Sequence, residues 1–307
     1  MRVLVTGGAG FIGSHIVDTF VAAGHDVAVV DNFWEHGGGR RSNLNPKARF
    51  FQLDIRDPAL ADAFDSFKPE VVSHHAAQHS VAISTKDPLY DADVNVKGLI
   101  NVAQAAARSG VGKIVYASSA ATYGTPERIP IDEDHAQRPE SPYGITKMAG
   151  EHYLRYFAAA GGPAFTALRY GNVFGPRQDP AGEAGVIAIF VSRILKGEPI
   201  RIDWDGEQQK DYVYAGDVAR ANQLALSGAD GDVINIGTGI GTSVNELHRL
   251  IAQAVGRDVA VEHAPKRAGD IGLCVFANAR AKKALGWEPT VSLRDGIART
   301  VDYFKSL

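Results

Sequence analysis

Near its start the sequence runs Val3-Leu4-Val5-Thr6-Gly7-Gly8-Ala9-Gly10-Phe11-Ile12-Gly13, continues helically to about Ala23, and returns to an apolar run from Val27 to Val30. A strand, a loop with glycines at 7, 10 and 13, a helix and a second strand make up the context in which a dinucleotide is bound. The glycines allow a tight turn, close backbone approach to a pyrophosphate and close packing of helix on strand, while the helix N-terminus faces the phosphates. Asp31 ends the second strand, 18 residues after Gly13. A carboxylate there can hydrogen-bond both ribose hydroxyls and repels a 2′-phosphate, so the expected cofactor is NAD rather than NADP. Arg40 and Arg41 lie nearby but follow Gly37-Gly38-Gly39, a flexible-loop composition, and are read as solvated.

The alternation of strands and helices continues. Phe50 to Leu53 closes on Asp54-Ile55, and Val71-Val72-Ser73-His74-His75 closes on Ala76-Ala77-Gln78. In a doubly wound parallel sheet the residues just past strand ends line the ligand crevice. Asp54 is thereby placed to meet the adenine, and Ala76-Ala77 to let the cofactor backbone pass closely. His74, His75 and His79 have no carboxylate or cysteine at ligand spacing, so they are expected to be structural and no metal is expected. A long helical region from about Pro88 to Ser109 contains Asn95, and Lys113 to Ala117 forms a buried strand ending at Ser118-Ser119-Ala120-Ala121.

Then comes Ser141-Pro142-Tyr143-Gly144-Ile145-Thr146-Lys147. Pro142 favours a helix start, so Tyr143 and Lys147, at i and i+4, share a helix face. An ammonium beside a phenol favours the phenolate and makes Tyr143 a candidate base near neutral pH. By itself the pattern is common on surface helices. With the glycine loop, Asp31 and the hydroxyl of Ser119 at a strand end, it becomes a candidate site for oxidising an alcohol.

Composition sets the partners. With 32 Lys+Arg against 35 Asp+Glu the net charge is −3, leaving no basic excess for nucleic acid or an anionic membrane. The single cysteine, Cys274, cannot close an internal disulfide, and the strand pattern at Arg2 to Val5 leaves no room for a signal peptide. A cytoplasmic enzyme acting on a small molecule is expected.

Taken in order, these segments resemble the extended short-chain dehydrogenase/reductase family, in its nucleotide-sugar epimerase branch. The resemblance rests on Thr6 to Gly13, Asp54-Ile55, Ala76-Ala77-Gln78, Ser118-Ser119, Tyr143 with Lys147, and Leu168-Arg169-Tyr170-Gly171-Asn172-Val173-Phe174-Gly175-Pro176-Arg177-Gln178. It continues through Asp205 to Tyr214, Arg267-Ala268-Gly269-Asp270 and Leu285 to Pro289. It implies an α/β fold: a Rossmann-type doubly wound parallel sheet with a smaller C-terminal α/β substrate domain. The expected division is 1–172 with about 212–236 for the NAD domain, and 173–211 with 237–307 for the nucleotide-sugar domain. By the same pattern Ser119, Tyr143 and Lys147 are catalytic. The NAD contacts include Gly7, Gly10, Phe11, Ile12, Gly13, Asp31, Asn32, Asp54, Ile55, Ala76, Ala77, Gln78, Asn95, Ser118 and Tyr170, together with Tyr143 and Lys147. The UDP-sugar contacts are Ser80, Ser119, Tyr143, Asn172, Gly185, Val186, Gln209, Lys210, Tyr212, Arg267 and Asp270. A homodimer through the helices around Val94 to Ala107 and Tyr143 to Ala159 is also implied.

The resemblance further implies inversion of C4 of a UDP-hexose through a transient 4-keto sugar. Related dehydratases and decarboxylases carry acidic residues beside the serine, whereas this chain has Ala120 and Ala121. A UDP-glucuronate 4-epimerase is the alternative; Asp179, following Arg177-Gln178, is expected to repel a sugar carboxylate. Other nucleotide-sugar oxidoreductases rank lower, as does an NAD-binding scaffold without chemistry, the latter because Tyr143, Lys147 and Ser119 are all present. Three positions depart from the family pattern: Lys210 replaces an arginine, Gly171 replaces a bulky aromatic and is expected to enlarge the pocket or shift the strand end, and Ile202 to Gly206 is poorer in glycine.

Overall fold

The computed structural model describes residues 1–307 apart from 36, 182–184 and 267–271. The substrate contacts expected at Arg267 and Asp270 lie outside the described residues.

The strands are β1 Arg2–Thr6, β2 Asp26–Asp31, β3 Arg49–Gln52, β4 Val71–His74, β5 Lys113–Ser119, β6 Ala164–Tyr170, β7 Asn172–Phe174, β8 Ile200–Asp203, β9 Gln209–Tyr214, β10 Val233–Ile236, β11 Gly241–Ser243, β12 Val261–Ala264 and β13 Leu273–Cys274. The helices are α1 Phe11–Ala22, α2 Leu60–Phe67, α3 Val81–Lys86, α4 Pro88–Ala92, α5 Gly98–Arg108, α6 Pro142–Ala159, α7 Val186–Lys196, α8 Ala215–Ala225, α9 Val244–Val255, α10 Ala279–Leu285 and α11 Leu293–Lys305. A seven-stranded sheet in the order β10-β6-β5-β4-β1-β2-β3 forms the centre, and all of its pairings are parallel. β1 lies between β4 and β2, where the strand order reverses, so the crevice of a doubly wound sheet opens above its C-terminal end.

The strands read as continuous apolar runs because helices cover both faces of the sheet. α1 and α8 pack on one face around Val3, Val5, Ile16, Phe20 and Ile234; α2 and α5, with Leu154 of α6, cover the other around Leu4, Val72, Leu99, Val102 and Ile114. A separate apolar cluster joins α7, α9 and α11 through Phe190, Ile194, Leu247 and Val301. It sits with the small sheet β11-β9-β13, to which β7 adds by pairing with β9. β10 returns to the central sheet beside β6. β9 does not, so residues 212–214 pair with the small sheet and the chain rejoins the central layer only from α8 onward.

The expected single helix from Pro88 to Ser109 is α4 and α5 joined by a wider π turn over Asp93–Lys97. Such one-turn irregularities recur at functional sites. α6 starts where Pro142 places it: Pro142 is in its first turn, and Ser141 Oγ accepts from Gly144 N at 3.1 Å.

Candidate active site

A cleft of about 620 Å³ runs along the C-terminal ends of β1, β2, β4 and β5. The glycine loop forms its floor. Gly7 takes a φ of +70° in van der Waals contact with the backbone of His75 and Ala76, and a Cβ there would come within 2.6 Å of Ala76 N. At Gly13 a Cβ would fall 2.1 Å from Gly7 O, so helix and loop can pack only with glycine. α1 begins at Gly10 with no side-chain cap and no acidic residue in its first turn, which leaves its positive end available to an anion.

Asp31 lines the cleft, with Oδ2 accepting from Ala9 N at 3.0 Å and Oδ1 from Phe33 N at 2.8 Å. Burial raises its pKa and the two amides oppose that rise. Asp54 also lines the cleft, but Arg56 and Asn32 occupy its oxygens. Arg56 donates at 2.9 and 2.8 Å and Asn32 Nδ2 at 2.9 Å, which holds this carboxyl below its usual range. His74 is buried and His75 partly so, and both are hydrogen-bonded. His74 Nδ1 lies 2.7 Å from Thr6 Oγ1, and His75 Nε2 3.0 Å from Tyr170 OH. Burial, and secondarily the Lys147 charge, pushes both imidazoles down to about 3, so they are neutral.

Tyr143 and Lys147 enter the cleft from α6, and Ser118 from β5. Lys147 Nζ donates to Ala117 O at 2.8 Å and sits 5.7 Å from the Tyr143 ring centre and 5.1 Å from that of Tyr116. Ser119 caps the turn after β5, its Oγ accepting from Ala121 N at 3.1 Å, and it also hydrogen-bonds Tyr143. In the bare cleft the ammonium expected to favour the phenolate does not bring the phenol into the neutral range. Burial pushes Tyr143 up to about 12, with the Ser119 bond opposing, and lowers Lys147 to about 8. Desolvation of both groups outweighs their mutual attraction across this distance.

Of the expected contacts, Gly10, Phe11, Ile12, Asn32, Ile55, Ala76, Ala77, Gln78, Ser80 and Tyr170 also line the cleft. Asn95 does not: it is buried, its Oδ1 accepting from Gln78 N at 2.9 Å and its Nδ2 donating to Gln78 O at 2.9 Å. Ser118 turns its hydroxyl away, donating to Glu151 Oε1 at 2.5 Å. Asn172 begins β7. It lies opposite Tyr212 in the β7–β9 register, beside Gln209 and Lys210 of the same small sheet. Gly185 and Val186 start α7, and a Cβ at Gly185 would fall 2.9 Å from Gln178 Nε2. Gly171 opens no pocket; its Cβ position faces the Asp211 carbonyl at 3.1 Å.

Other residues at the cleft were not anticipated. Arg177 adopts a left-handed φ of 68° and donates from Nη2 to Asp18 at 2.6 Å. Its buried Nη1, like Gln178 Oε1, finds no partner among the described residues. Both line the cleft. The signal available was their place just after Gly175-Pro176 at a strand end. Arg40 is solvent-exposed, as expected, and also pairs with Asp179 at 2.7 Å beside the cleft. That pairing offsets part of the Asp179 charge that was expected to repel a sugar carboxylate.

An uncapped helix end, a glycine floor and an orphaned guanidinium nitrogen fit a dinucleotide diphosphate, and Asp31 at the end of β2 fits a ribose diol. The sequence model described as the NAD dependent epimerase/dehydratase family matches residues 3–237. A UDP-glucose 4-epimerase from Mycolicibacterium smegmatis is 44% identical over 313 residues, covering 100% of this chain and 99% of the relative. The crystal structure of UDP-glucose 4-epimerase with UDP-glucose from Thermotoga maritima superposes with a TM-score of 0.96 at 46% identity, covering 100% of this chain and 99% of that one. The Thermus thermophilus UDP-glucose 4-epimerase in complex with NAD gives 0.94 at 45% identity, covering 99% of each chain. By fold, by cleft and by similarity over its whole length, this chain belongs to the NAD dependent epimerase/dehydratase family.

Proposed function

We propose that this chain is an NAD-dependent enzyme that inverts C4 of a UDP-hexose, interconverting UDP-glucose and UDP-galactose. The observation that carries the reading is Tyr143 and Lys147 in the lining of a dinucleotide cleft, with Ser119 hydrogen-bonded to Tyr143 and only Ala120 and Ala121 beside the serine. A phenol and a hydroxyl can move one proton at one oxygen. No acid or base at those two positions diverts a keto sugar toward elimination.

The glycine loop, the start of α1, Asp31 and Arg177 would hold NAD. Bound there, NAD would supply reversible hydride transfer at C4 and, through its nicotinamide, a positive charge that favours ionisation of Tyr143. Tyr143 takes the C4 hydroxyl proton and later gives it back. Ser119 holds the same oxygen. Lys147, fixed by the Ala117 carbonyl, keeps a positive charge behind the phenol. Between the two proton transfers the sugar is a 4-keto sugar, and its turning about the diphosphate linkage exchanges the face presented at C4. Asn172, Gln209, Lys210 and Tyr212 on the small sheet, with Gly185 and Val186 at the start of α7, are assigned to the nucleotide.

The unit built on the central sheet is assigned to NAD, and the unit around the small sheet and α7, α9 and α11 to the sugar nucleotide. Ile145, Tyr153 and Tyr156 expose apolar surface on α6, which supports a homodimer through this helix. Among the described residues no helix is long and apolar enough to cross a membrane. The test is to incubate the purified protein separately with UDP-galactose and UDP-glucuronate, without added NAD. C4 epimers of UDP-galactose are expected, and turnover of the acid alone would overturn the substrate assignment.

A further inference from the structure

Asp91, on α4, lies beneath the cleft rather than in it. It is fully buried, and its carboxylate accepts from three side chains on three different segments. Oδ1 takes Gln78 Nε2 at 2.7 Å and Asn95 Nδ2 at 3.0 Å, while Oδ2 takes Thr146 Oγ1 at 2.8 Å. Gln78 flanks the cleft after β4, Asn95 lies in the π turn, and Thr146 directly precedes Lys147 on the catalytic helix. A buried carboxylate with only neutral hydrogen-bond partners is costly unless a cation stands near.

The cation is Lys147. Its side chain is buried too, and Nζ donates to the neutral carbonyl of Ala117. The Asp91 charge opposes the effect of burial on Lys147, and it acts on Tyr143 and on buried Tyr116 of β5 as well. Of the other charged groups nearby, Asp87 on the same turn and Lys86 on α3 are exposed to solvent. We infer that Asp91 is a positioning residue of the reaction: it balances the Lys147 ammonium and ties the Gln78 segment and the π turn to the helix that carries Tyr143.

The inference rests on the proposed function, and its signature is a sign. A negative charge raises the pKa of every group near it. Removing it must therefore move both limbs of the pH–rate profile the same way, toward acid: the acid limb set by Tyr143 and the alkaline limb set by Lys147. Asp91→Asn deletes the charge while keeping the contacts. The amide oxygen can still accept from Gln78 and Asn95, and the amide nitrogen can donate to Thr146 Oγ1, which turns its own proton to Tyr143 O at 3.0 Å.

Both limbs of kcat are expected to shift by about one pH unit to lower pH. Asp91→Glu should return them toward their original positions, and Thr146→Val, which cuts a tether and keeps the charge, should lower kcat without moving either limb. An NMR titration of 13C-labelled lysine, with Lys147 assigned by its absence from Lys147→Met, should show the ammonium falling from about 8 toward about 7 in Asp91→Asn without any substrate present. Active Asp91→Asn with both limbs and the Lys147 titration unmoved would overturn the inference. So would failure of both Asp91→Asn and Asp91→Ser to fold, since Asp91 would then serve stability alone. A wild-type protein that epimerises nothing while its Lys147 titration still depends on Asp91 would count against the proposed function, not against this charge balance.

Discussion

Tyr143 is held in a state that, without a ligand, opposes its role. Its phenol is pushed up to about 12 and hydrogen-bonded by Ser119. It is neutral in the bare cleft and needs added positive charge to become a base, which couples proton transfer to an occupied cofactor site. Tyr143→Phe keeps the ring and removes the proton acceptor. It should lower kcat by about 10²–10⁴-fold or more with UDP-sugar affinity retained, measured by calorimetry beside steady-state kinetics. Lys147 sets the other limit. Its ammonium pKa is lowered to about 8 from an ordinary 10.5, so turnover should decline as pH rises through about 8 rather than through 10. A pH profile of kcat flat to pH 10 would refute that assignment. The residue types and their spacing pointed to the side chains proposed to do the chemistry. Their protonation was not legible, because it depends on burial and on a carboxylate from another helix, Asp91, that no local pattern connects to Lys147.

At the scale of elements, the strand–loop–helix unit at the N-terminus was readable from glycine spacing because backbone approach permits no side chain there. Gly13→Ala would drive a methyl group against Gly7 O, and NAD affinity should weaken by at least about tenfold, or about 1.4 kcal/mol, read as the NAD retained after gel filtration. The link between β5, β6 and α6 was not readable. Arg169 donates to both oxygens of Glu151 at 2.8 and 2.6 Å, Ser118 donates to the same carboxylate, and Arg169 also reaches Tyr123 OH at 2.7 Å. Both charges are almost wholly buried, with side chains 4% and 5% exposed. Glu151→Ala leaves a buried guanidinium unpaired and should cost about 3–5 kcal/mol in denaturant unfolding. The pair joins residues 18 apart in sequence through the third dimension, so neither shows in a periodicity. The π turn escaped for a similar reason: one extra residue in a helix leaves the apolar pattern almost unchanged.

The whole molecule folds its central sheet from one continuous run and then lets the chain cross back through α8 and β10. The strand at Val233–Ile236 could be anticipated as rejoining that sheet, but residues 212–214 could not be apportioned by composition, since an apolar strand reads alike in either sheet. Helix α1 and the loop after β2 meet the mid-chain segment after β7 near the cofactor cleft. Arg40 pairs with Asp179, Arg177 with Asp18, and His15 Nε2 lies 2.9 Å from Pro176 O. These contacts suit a cofactor that stays bound through turnover, as a reaction without net redox change requires. The measurement that bears most directly on this account uses the protein as isolated, with no NAD added, and UDP-galactose deuterated at C4. The account predicts UDP-glucose with the deuterium still at C4 over many turnovers. Consumption of UDP-galactose only with stoichiometric NAD, or loss of the label to solvent, would contradict it.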